Sequence, residues 1–175
     1  MKKLLILLLT LLLCVPAMAE SVLPEAADAT DWALVGYSPA GLTFSVPWDT
    51  QSFALTDEEK EAGFRFLGMS ADYTIQMRQY SPDEMNLDIF ANMMGIFSGS
   101  EGERITVNEV EMLIYRNVNP STETELCGIA FTGLDGCMYR LSFFTGTSGD
   151  FSDAAPVWAI AHAVALSVTL EAEAE

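Results

Sequence analysis

The segment from Cys127 to Phe144, CGIAFTGLDGCMYRLSFF, constrains the fold most, because two stretches with alternating character flank a short loop that contains glycine. This pattern is typical of a β-hairpin. We predict that residues 134–136 form a three-residue loop in which Gly136 adopts the left-handed conformation. The register that follows pairs Cys127 with Phe143, Ile129 with Leu141, Phe131 with Tyr139 and Gly133 with Cys137. These apolar side chains then share one face of the hairpin, which supports the register.

The same register predicts whether Cys127 and Cys137 can form a disulfide. In an exported protein two such cysteines suggest a disulfide. The predicted hairpin, however, separates the two sulfurs by roughly 20 Å along the strand direction. A disulfide needs Cα atoms within about 7 Å of each other. We therefore predict two free, buried cysteines.

Three other segments have the two-residue period of strands. The stretch GLTFSVPW (41–48) predicts a half-buried strand that ends at Pro47, with Trp48 capping the core; the alternative is an exposed Trp48 that forms a contact. FRFLGM and YTIQMRQY (64–80) predict an antiparallel hairpin with Tyr73, Ile75 and Met77 on one side. RITVNEVEMLIYRNV (104–118) predicts two short strands joined by a tight turn.

Two segments have helical signals. In SPDEMNLDIFANMMGIFSG, Ser81 as N-cap and Glu84 form a capping box, and Gly99 is the predicted stop. A last helix is predicted to begin at Asp153 as N-cap, and its apolar stripe comprises Val157, Ile160, Ala161, Val164 and Val168. Strands in antiparallel pairs with a helix in mid-chain and one at the end predict an α+β domain, in which an antiparallel sheet is flanked by helices.

The N-terminal segment MKKLLILLLTLLLCVPAMAE has the charged start, the apolar run and the small residues before the cleavage site that define a secretory signal peptide. Its apolar run is shorter than the 18 residues of a spanning helix. Lipidation at Cys14 is the alternative, and Leu13 disfavours it because the lipobox needs a small residue there. We expect a secreted protein or one located in the cell envelope. The predicted division is a signal peptide at 1–19, an acidic flexible lead at 20–40, a single α+β domain at 41–170 and an acidic tail at 171–175.

The charge balance limits the partners. The chain has 8 Lys and Arg against 25 Asp and Glu, a formal net charge of −17, and loss of Lys2 and Lys3 with the signal peptide leaves −19. Such a field repels nucleic acid and anionic lipid and favours cationic partners. We predict an unknown protein or small ligand as partner, no nucleic acid and no stable membrane span.

The residues that could carry chemistry form no convincing set. His162 lies between Ala161 and Ala163 in the predicted last helix without nearby metal ligands, and the sequence has no GxSxG motif. A dyad of Cys127 with His162 is disfavoured because burial raises the pKa of a thiol. Asp150 and Asp153 suggest calcium, but helix capping explains them more simply. We predict no catalytic, cofactor-binding or metal residue and no cofactor.

The order of elements, together with GLTFSVPW and the phenylalanine-rich strand YRLSFFTG, resembles the PsbP-like superfamily over residues 41–169. Its members begin with a Gly-x-x-Phe-x-x-Pro-x-x-Trp-like strand and form an α-β-α sandwich. Gly41, Phe44 and Pro47 match this pattern, whereas Trp48 follows the proline directly and departs from it. The superfamily includes photosystem II extrinsic proteins, the Ran-binding Mog protein and exported bacterial proteins. The resemblance implies an accessory role and carries over no catalytic residue.

Two classes of function follow from the sequence. The one we favour is an exported non-catalytic binding or accessory domain that contacts a protein, peptide or small ligand at or outside the cell envelope. It would need an exposed apolar or aromatic patch, for which Trp48, Trp32 and Tyr80 are the candidates. The alternative is a small secreted hydrolase with an unrecognised site, which would need a pocket with perturbed acids or with His162 beside a hydroxyl or thiol.

Overall fold

The structure is a computed structural model that describes residues 23–97, 100–117, 125–145 and 155–171. Within these residues the chain forms ten strands, three helices and a short 3-10 turn at Ser38–Ala40. The strands are β1 (Ala33–Tyr37), β2 (Leu42–Val46), β3 (Gln51–Ser52), β4 (Phe64–Met69), β5 (Tyr73–Tyr80), β6 (Ser100–Val107), β7 (Val110–Asn117), β8 (Cys127–Thr132), β9 (Met138–Thr145) and β10 (Thr169–Leu170). The helices are α1 (Asp57–Glu61), α2 (Leu87–Phe97) and α3 (Ala155–Ser167).

The strands form two antiparallel sheets. The larger sheet has the order β3-β4-β5-β9-β8-β7-β6, and a smaller sheet has β2 between β1 and β10. Helix α2 packs on β6, β7 and β8 from one side of the large sheet, while α3 and the small sheet cover the other side. The predicted α+β class, an antiparallel sheet with helices on both faces, is confirmed.

Strand β2 contributes to the main core as its sequence predicts. Leu42, Phe44 and Val46 are at most 3% exposed, while the residues between them are partly exposed. The ring of Phe44 meets Phe66 of β4 edge-on, with centroids 5.7 Å apart. Each such buried side chain contributes about 1.5–3 kcal/mol. The alternating pattern of β2 therefore fixes the small sheet against the large one.

The β8–β9 hairpin has the predicted register. Its pairs are Cys127 with Phe143, Ile129 with Leu141 and Phe131 with Tyr139. The loop closes where the N–H of Gly133 donates to the carbonyl of Cys137 at 2.9 Å, and Gly136 has a φ of +77°. The loop length and the apolar face were therefore sufficient to predict this pairing.

The other two hairpins also form. Strands β4 and β5 pair over the predicted ranges, and the alternate residues of β5 from Tyr73 to Met77 are buried. Strands β6 and β7 are eight residues long each and are joined by the predicted tight turn. Its two residues, Asn108 and Glu109, have φ values of +49° and +66°. This left-handed pair is the geometry that matches the twist of a two-residue hairpin.

Helix α2 begins later than the sequence predicts. The side chain of Glu84 does accept hydrogen bonds from the N–H and the hydroxyl of Ser81, but these residues form an isolated turn. The helix begins at Leu87, because the side chain of Asn86 accepts the N–H of Ile89 at 2.9 Å and acts as the N-cap. The predicted stop at Gly99 lies outside the described residues.

Helix α3 buries the predicted stripe. Val157, Ala161 and Val164 are buried, Ile160 is partly buried, and Val168 is buried one residue beyond the helix end. The small alanine side chains let α3 approach β2 and β8 closely. The predicted N-cap, Asp153, lies outside the described residues.

The described part of the predicted lead makes contacts with the domain. Residues 33–37 form β1, which pairs with β2 along its whole length. Before it, the N–H of Ala27 donates to the carbonyl of Ala159 in α3, and Leu23 packs against the main core. The predicted signal peptide lies outside the described residues, as does the tail apart from Glu171. The division at residues 40 and 41 stays a prediction.

Candidate functional site

The segment from Pro47 to Phe53, which we name the Trp48 loop, follows β2. Proline has no N–H and cannot extend the ladder of β2. The N–H of Thr50 donates to the carbonyl of Pro47 at 3.0 Å, which closes a turn. This turn interrupts the alternation of β2, so that Trp48 leaves the direction of the buried side chains.

Trp48 is 78% exposed, more than any other large apolar side chain of the described residues. The prediction that it caps the core was therefore wrong, because the turn after Pro47 breaks the strand period. Phe53 at the end of the same loop is 46% exposed. Trp32 packs against the main core and Tyr80 is partly buried. Of the three aromatic residues singled out in the sequence, Trp48 is the one that the fold presents to solvent.

The Trp48 loop is attached to the large sheet by several contacts. The hydroxyls of Thr50 and Tyr73 lie 2.6 Å apart, and the N–H of Phe53 donates to the carbonyl of Leu67 at 2.9 Å. Burial is the main cause that raises the pKa of Tyr73 to about 12, so its hydroxyl stays protonated at neutral pH. A Cβ at Gly68 would lie 2.8 Å from the Thr50 methyl, so glycine makes room for the loop. A fixed backbone presents Trp48 with little conformational entropy to lose on binding.

His162 does not lie in a reactive arrangement among the described residues. It is partly buried in α3, and its Nδ1 lies 2.7 Å from the carbonyl oxygen of Pro24. This contact attaches the segment before β1 to α3. The described residues place no serine, cysteine or carboxylate within hydrogen-bond reach of the His162 ring, so the hydrolase alternative gains no support from this site.

The two thiols are free. Cys127 is buried, and burial raises the pKa of its thiol well above the usual value, with the charge of Glu125 adding to the effect. Cys137 is only partly buried, because it lies beside the hairpin loop; the prediction that both thiols are buried was wrong for it. The pKa of Cys137 is also raised, chiefly by desolvation. Neither thiol has the lowered pKa of a nucleophile.

The described residues contain neither a cluster of metal ligands nor a helix that could span a membrane. Among them no three His, Cys, Asp or Glu side chains converge in a way that could hold a metal ion. The calcium candidates Asp150 and Asp153 lie outside those residues. In the same part of the chain, every helix lacks the length or the apolar composition needed to cross a bilayer.

A partly buried polar cluster that the sequence did not predict lies under α2. Arg140 of β9 forms an ion pair with Glu125, and its Nε donates to the Tyr115 hydroxyl at 2.8 Å. That hydroxyl donates to Glu125 Oε1 at 2.6 Å. The guanidinium also lies 5.2 Å from the centroid of the Phe90 ring. We name Tyr115, Glu125 and Arg140 the polar triad.

The electrostatics of the polar triad indicate a structural role. Burial and the Glu125 carboxylate raise the pKa of Tyr115 well above its usual value. Burial acts to lower the pKa of Arg140, but Tyr115 and Glu125 together outweigh it and raise this pKa, so the guanidinium stays charged. Tyr115 therefore stays protonated and Arg140 stays charged at neutral pH, which is unsuitable for a general acid or base. A Cβ at Gly128 would lie 2.3 Å from the Tyr115 oxygen, so the triad needs glycine beneath it.

Together, the two sheets and the helices on both faces define the PsbP-like class of α+β fold. Comparison with solved structures finds similarity to the solution structure of cyanobacterial PsbP (CyanoP) from Synechocystis sp. PCC 6803, with a TM-score of 0.55 and 12% identity. The match covers 86% of this chain and 98% of that chain. Comparison with protein-family models and with curated proteins by sequence finds no match. The chain has a PsbP-like fold, as its sequence pattern predicts.

Proposed function

We propose that the protein is a non-catalytic binding or accessory domain that contacts a protein partner through the Trp48 loop. The observation that carries this proposal is the 78% exposure of Trp48 on a backbone anchored to the sheet. An anchored aromatic side chain combines a large apolar area with a small entropic cost on binding. The similarity in fold to cyanobacterial PsbP is compatible with an accessory role.

The side chain of Trp48 is large enough to be the central contact of an interface. A tryptophan buries about 150–250 Å². At about 25 cal/mol per Å², covering the exposed part of Trp48 would contribute on the order of 4 kcal/mol. Interface residues whose truncation costs about 2 kcal/mol or more are enriched in tryptophan. Trp48 is thus able to dominate the affinity of a small interface.

The charge of the chain favours a partner with basic residues around the contact. Asp49 follows Trp48 directly, and the chain has a formal net charge of −17. Opposite charges at the rim of an interface raise the association rate more than the affinity. We therefore expect an association rate that falls as the salt concentration rises.

The proposal includes export. It is supported by the signal-peptide pattern of residues 1–19, with its charged start, apolar run and small residues before Glu20. The test is mass spectrometry of the protein recovered from the envelope and the medium of its own organism. A mature N-terminus at Glu20 is expected. Cytoplasmic protein with an intact N-terminus would contradict export.

The partner contact is tested by a photo-crosslinking amino acid at position 48, compared with the same amino acid at position 93. Met93 is a suitable control because it is an exposed apolar residue, 43% accessible, on helix α2 at the other face of the large sheet. We expect one defined protein to be crosslinked from position 48 and not from position 93.

The crosslinked protein is then purified, and its affinity is measured for the wild type, Trp48→Ala and Met93→Ala. We expect Trp48→Ala to weaken binding at least about tenfold, which is about 1.4 kcal/mol, while Met93→Ala changes little. Equal affinity of the two variants would contradict the proposed role of the Trp48 loop.

A further inference from the structure

A second surface, separate from the Trp48 loop, has the features of a small-ligand site. A cavity of about 330 Å³ lies where α1 ends against the β4–β5 hairpin, and we name it the arginine cavity. Its charged lining residues are Glu61, Arg65, Arg78 and Glu84. Gly63 connects α1 to β4 with a φ of +91°, and a Cβ there would lie 2.8 Å from the carbonyl oxygen of Gln79. Glycine therefore allows the chain to form this corner.

Arg78 presents an unused cationic group to the arginine cavity. Its guanidinium lies over the rings of Tyr80 and Phe64, at 4.9 and 5.7 Å from their centroids. Lys60, Arg104, Arg116 and Arg140 each form an ion pair with a described carboxylate, whereas Arg78 forms none with those residues. Aromatic support fixes the plane of the guanidinium and leaves its N–H groups available for a bidentate contact.

Arg65 is the second cation of the cavity. Its Nε donates to Gln79 Oε1 at 2.8 Å, and its Nη1 donates to the carbonyls of Lys60 and Phe64 at 2.8 Å each. These bonds fix the guanidinium, and among the described residues Nη2 has no acceptor. Arg65 also forms no ion pair with a described carboxylate. The cavity thus has two fixed guanidinium groups with free donors.

Glu84 provides a fixed anion on the same cavity. Its Oε2 accepts the N–H of Ser81 at 3.0 Å and the Ser81 hydroxyl at 2.9 Å. These hydrogen bonds, the backbone one first, lower the pKa of Glu84, and the charge of Arg78 adds to the effect. Arg78 and Glu84 nevertheless form no direct ion pair, so opposite charges face one cavity without neutralising each other by contact.

We propose that the arginine cavity binds a zwitterion, an α-amino acid or a short peptide. Its carboxylate lies at Arg78 and Arg65, and its ammonium group lies at Glu84 and Glu61. Arginine matches the planar carboxylate with two parallel hydrogen bonds. A simple anion would meet two carboxylates in a strongly acidic protein, and a simple cation would meet two arginines. The volume is at the lower end of the range for small-molecule sites.

The test is titration of ¹⁵N-labelled protein with glycylglycine, followed by the amide signals of Gly63 and Ser81. We expect saturable shifts with a Kd of about 1 mM or tighter. N-acetyl-glycylglycine lacks the ammonium group and glycylglycine amide lacks the carboxylate, so each should bind at least about tenfold more weakly. Equal binding of either blocked peptide would overturn the proposal that the ligand is a zwitterion. No shift up to about 20 mM glycylglycine would overturn the site.

Two variants test which residue binds the carboxylate and which binds the ammonium group of the ligand. Arg78→Gln should weaken glycylglycine at least about tenfold. Glu84→Gln should weaken it and also abolish the preference over the N-acetyl form, which a loss of local structure alone would not do. Arg116→Gln is the matched control, because Arg116 is ion-paired to Glu101 on β6 and β7 at the other end of the sheet. Wild-type affinity in folded Arg78→Gln protein would overturn the proposal. The Trp48 loop contributes no residue to this site, so the failure of one proposal leaves the other standing.

Discussion

Replacing Arg140 with methionine removes the cation of the polar triad and keeps an unbranched stem that is as long as that of arginine up to Nε. In the wild type, Arg140 forms an ion pair with Glu125 and donates to the Tyr115 hydroxyl. After the replacement, Glu125 keeps only the hydrogen bond from Tyr115 among these partners. The guanidinium contact with the ring of Phe90 is lost as well. The main cost of the variant is therefore the carboxylate that is left without its cation under α2.

The burial of the pair sets the size of this cost. The side chains of Arg140 and Glu125 are 25% and 13% exposed, while those of the Arg116–Glu101 pair are 43% and 45% exposed. Removing one partner of a buried pair costs about 3–5 kcal/mol. An exposed pair contributes about 0.2–1 kcal/mol. Because Arg140 keeps some contact with water, we expect a loss of about 3 kcal/mol for Arg140→Met and less than about 1 kcal/mol for Arg116→Met.

The assay is urea unfolding at neutral pH, followed by circular dichroism, on the wild type and the two arginine variants. A loss of about 3 kcal/mol corresponds to a fall of about 9 °C in Tm for a domain of this size. The double variant Glu125→Leu/Arg140→Met should recover part of the loss, because it removes both charges together. Equal destabilisation by Arg140→Met and Arg116→Met would refute the reasoning from burial.

Two further predictions concern the β6–β7 hairpin turn and the buried phenol of Tyr73. Glu109→Gly should stabilise the protein by about 0.5–1 kcal/mol. Glu109 has a φ of +66°, and glycine removes the steric cost of this conformation at the second position of the turn. Unchanged or reduced stability in the urea assay would contradict this prediction. In the unfolded chain, Tyr73 loses its proton above the usual pKa of a phenol. In the folded protein, Tyr73 keeps its proton up to a pKa of about 12. The free energy of unfolding should therefore fall as the pH rises between these two pKa values. Urea unfolding at about pH 9 and about pH 11.5 measures the decline, and Tyr73→Phe should reduce it.

The hairpins could be predicted from the sequence because their determinants are local. For the β8–β9 hairpin, the loop length fixes the register, and the alternation fixes which face is buried. The turn at Asn108 and Glu109 interrupts the strand period at the point where the chain reverses. Helix α2 shows the limit of local signals. The Glu84 carboxylate accepts the Ser81 N–H, which is one of the two contacts of a capping box, but the chain uses Asn86 as the N-cap.

The exposure of Trp48 depends on one turn. The period of β2 would have continued the buried positions to residue 48, and the sequence signal for a break was Pro47 alone. A proline ends the ladder but does not specify where the next side chain points. The hydrogen bond from Thr50 to Pro47 and the contact between Thr50 and Tyr73 decide that direction. The second contact joins residues 23 positions apart and has no local pattern.

The polar triad could not be predicted because its members come from three different parts of the chain. Tyr115 on β7 and Arg140 on β9 flank β8, and Glu125 lies just before β8. One feature of the sequence did point to a polar group. Gly128 and Arg140 lie on the face opposite the predicted apolar face of the hairpin, so this face had room for a large polar side chain. The pairing itself follows from the strand order β9-β8-β7, which the sequence did not predict.

The positions of the two proposed sites make their effects separable. The Trp48 loop joins the end of β4 where Gln51 pairs with Met69, and the arginine cavity lies at the other end, where Phe64 pairs with Arg78. Five residue steps of strand separate these ends, which is about 16 Å. Changes at sites more than about 7–10 Å apart without shared partners usually add. The double variant Trp48→Ala/Arg78→Gln should therefore lose partner and dipeptide binding by the amounts of the single variants, and a loss larger than their sum would show that β4 and β5 couple the two sites.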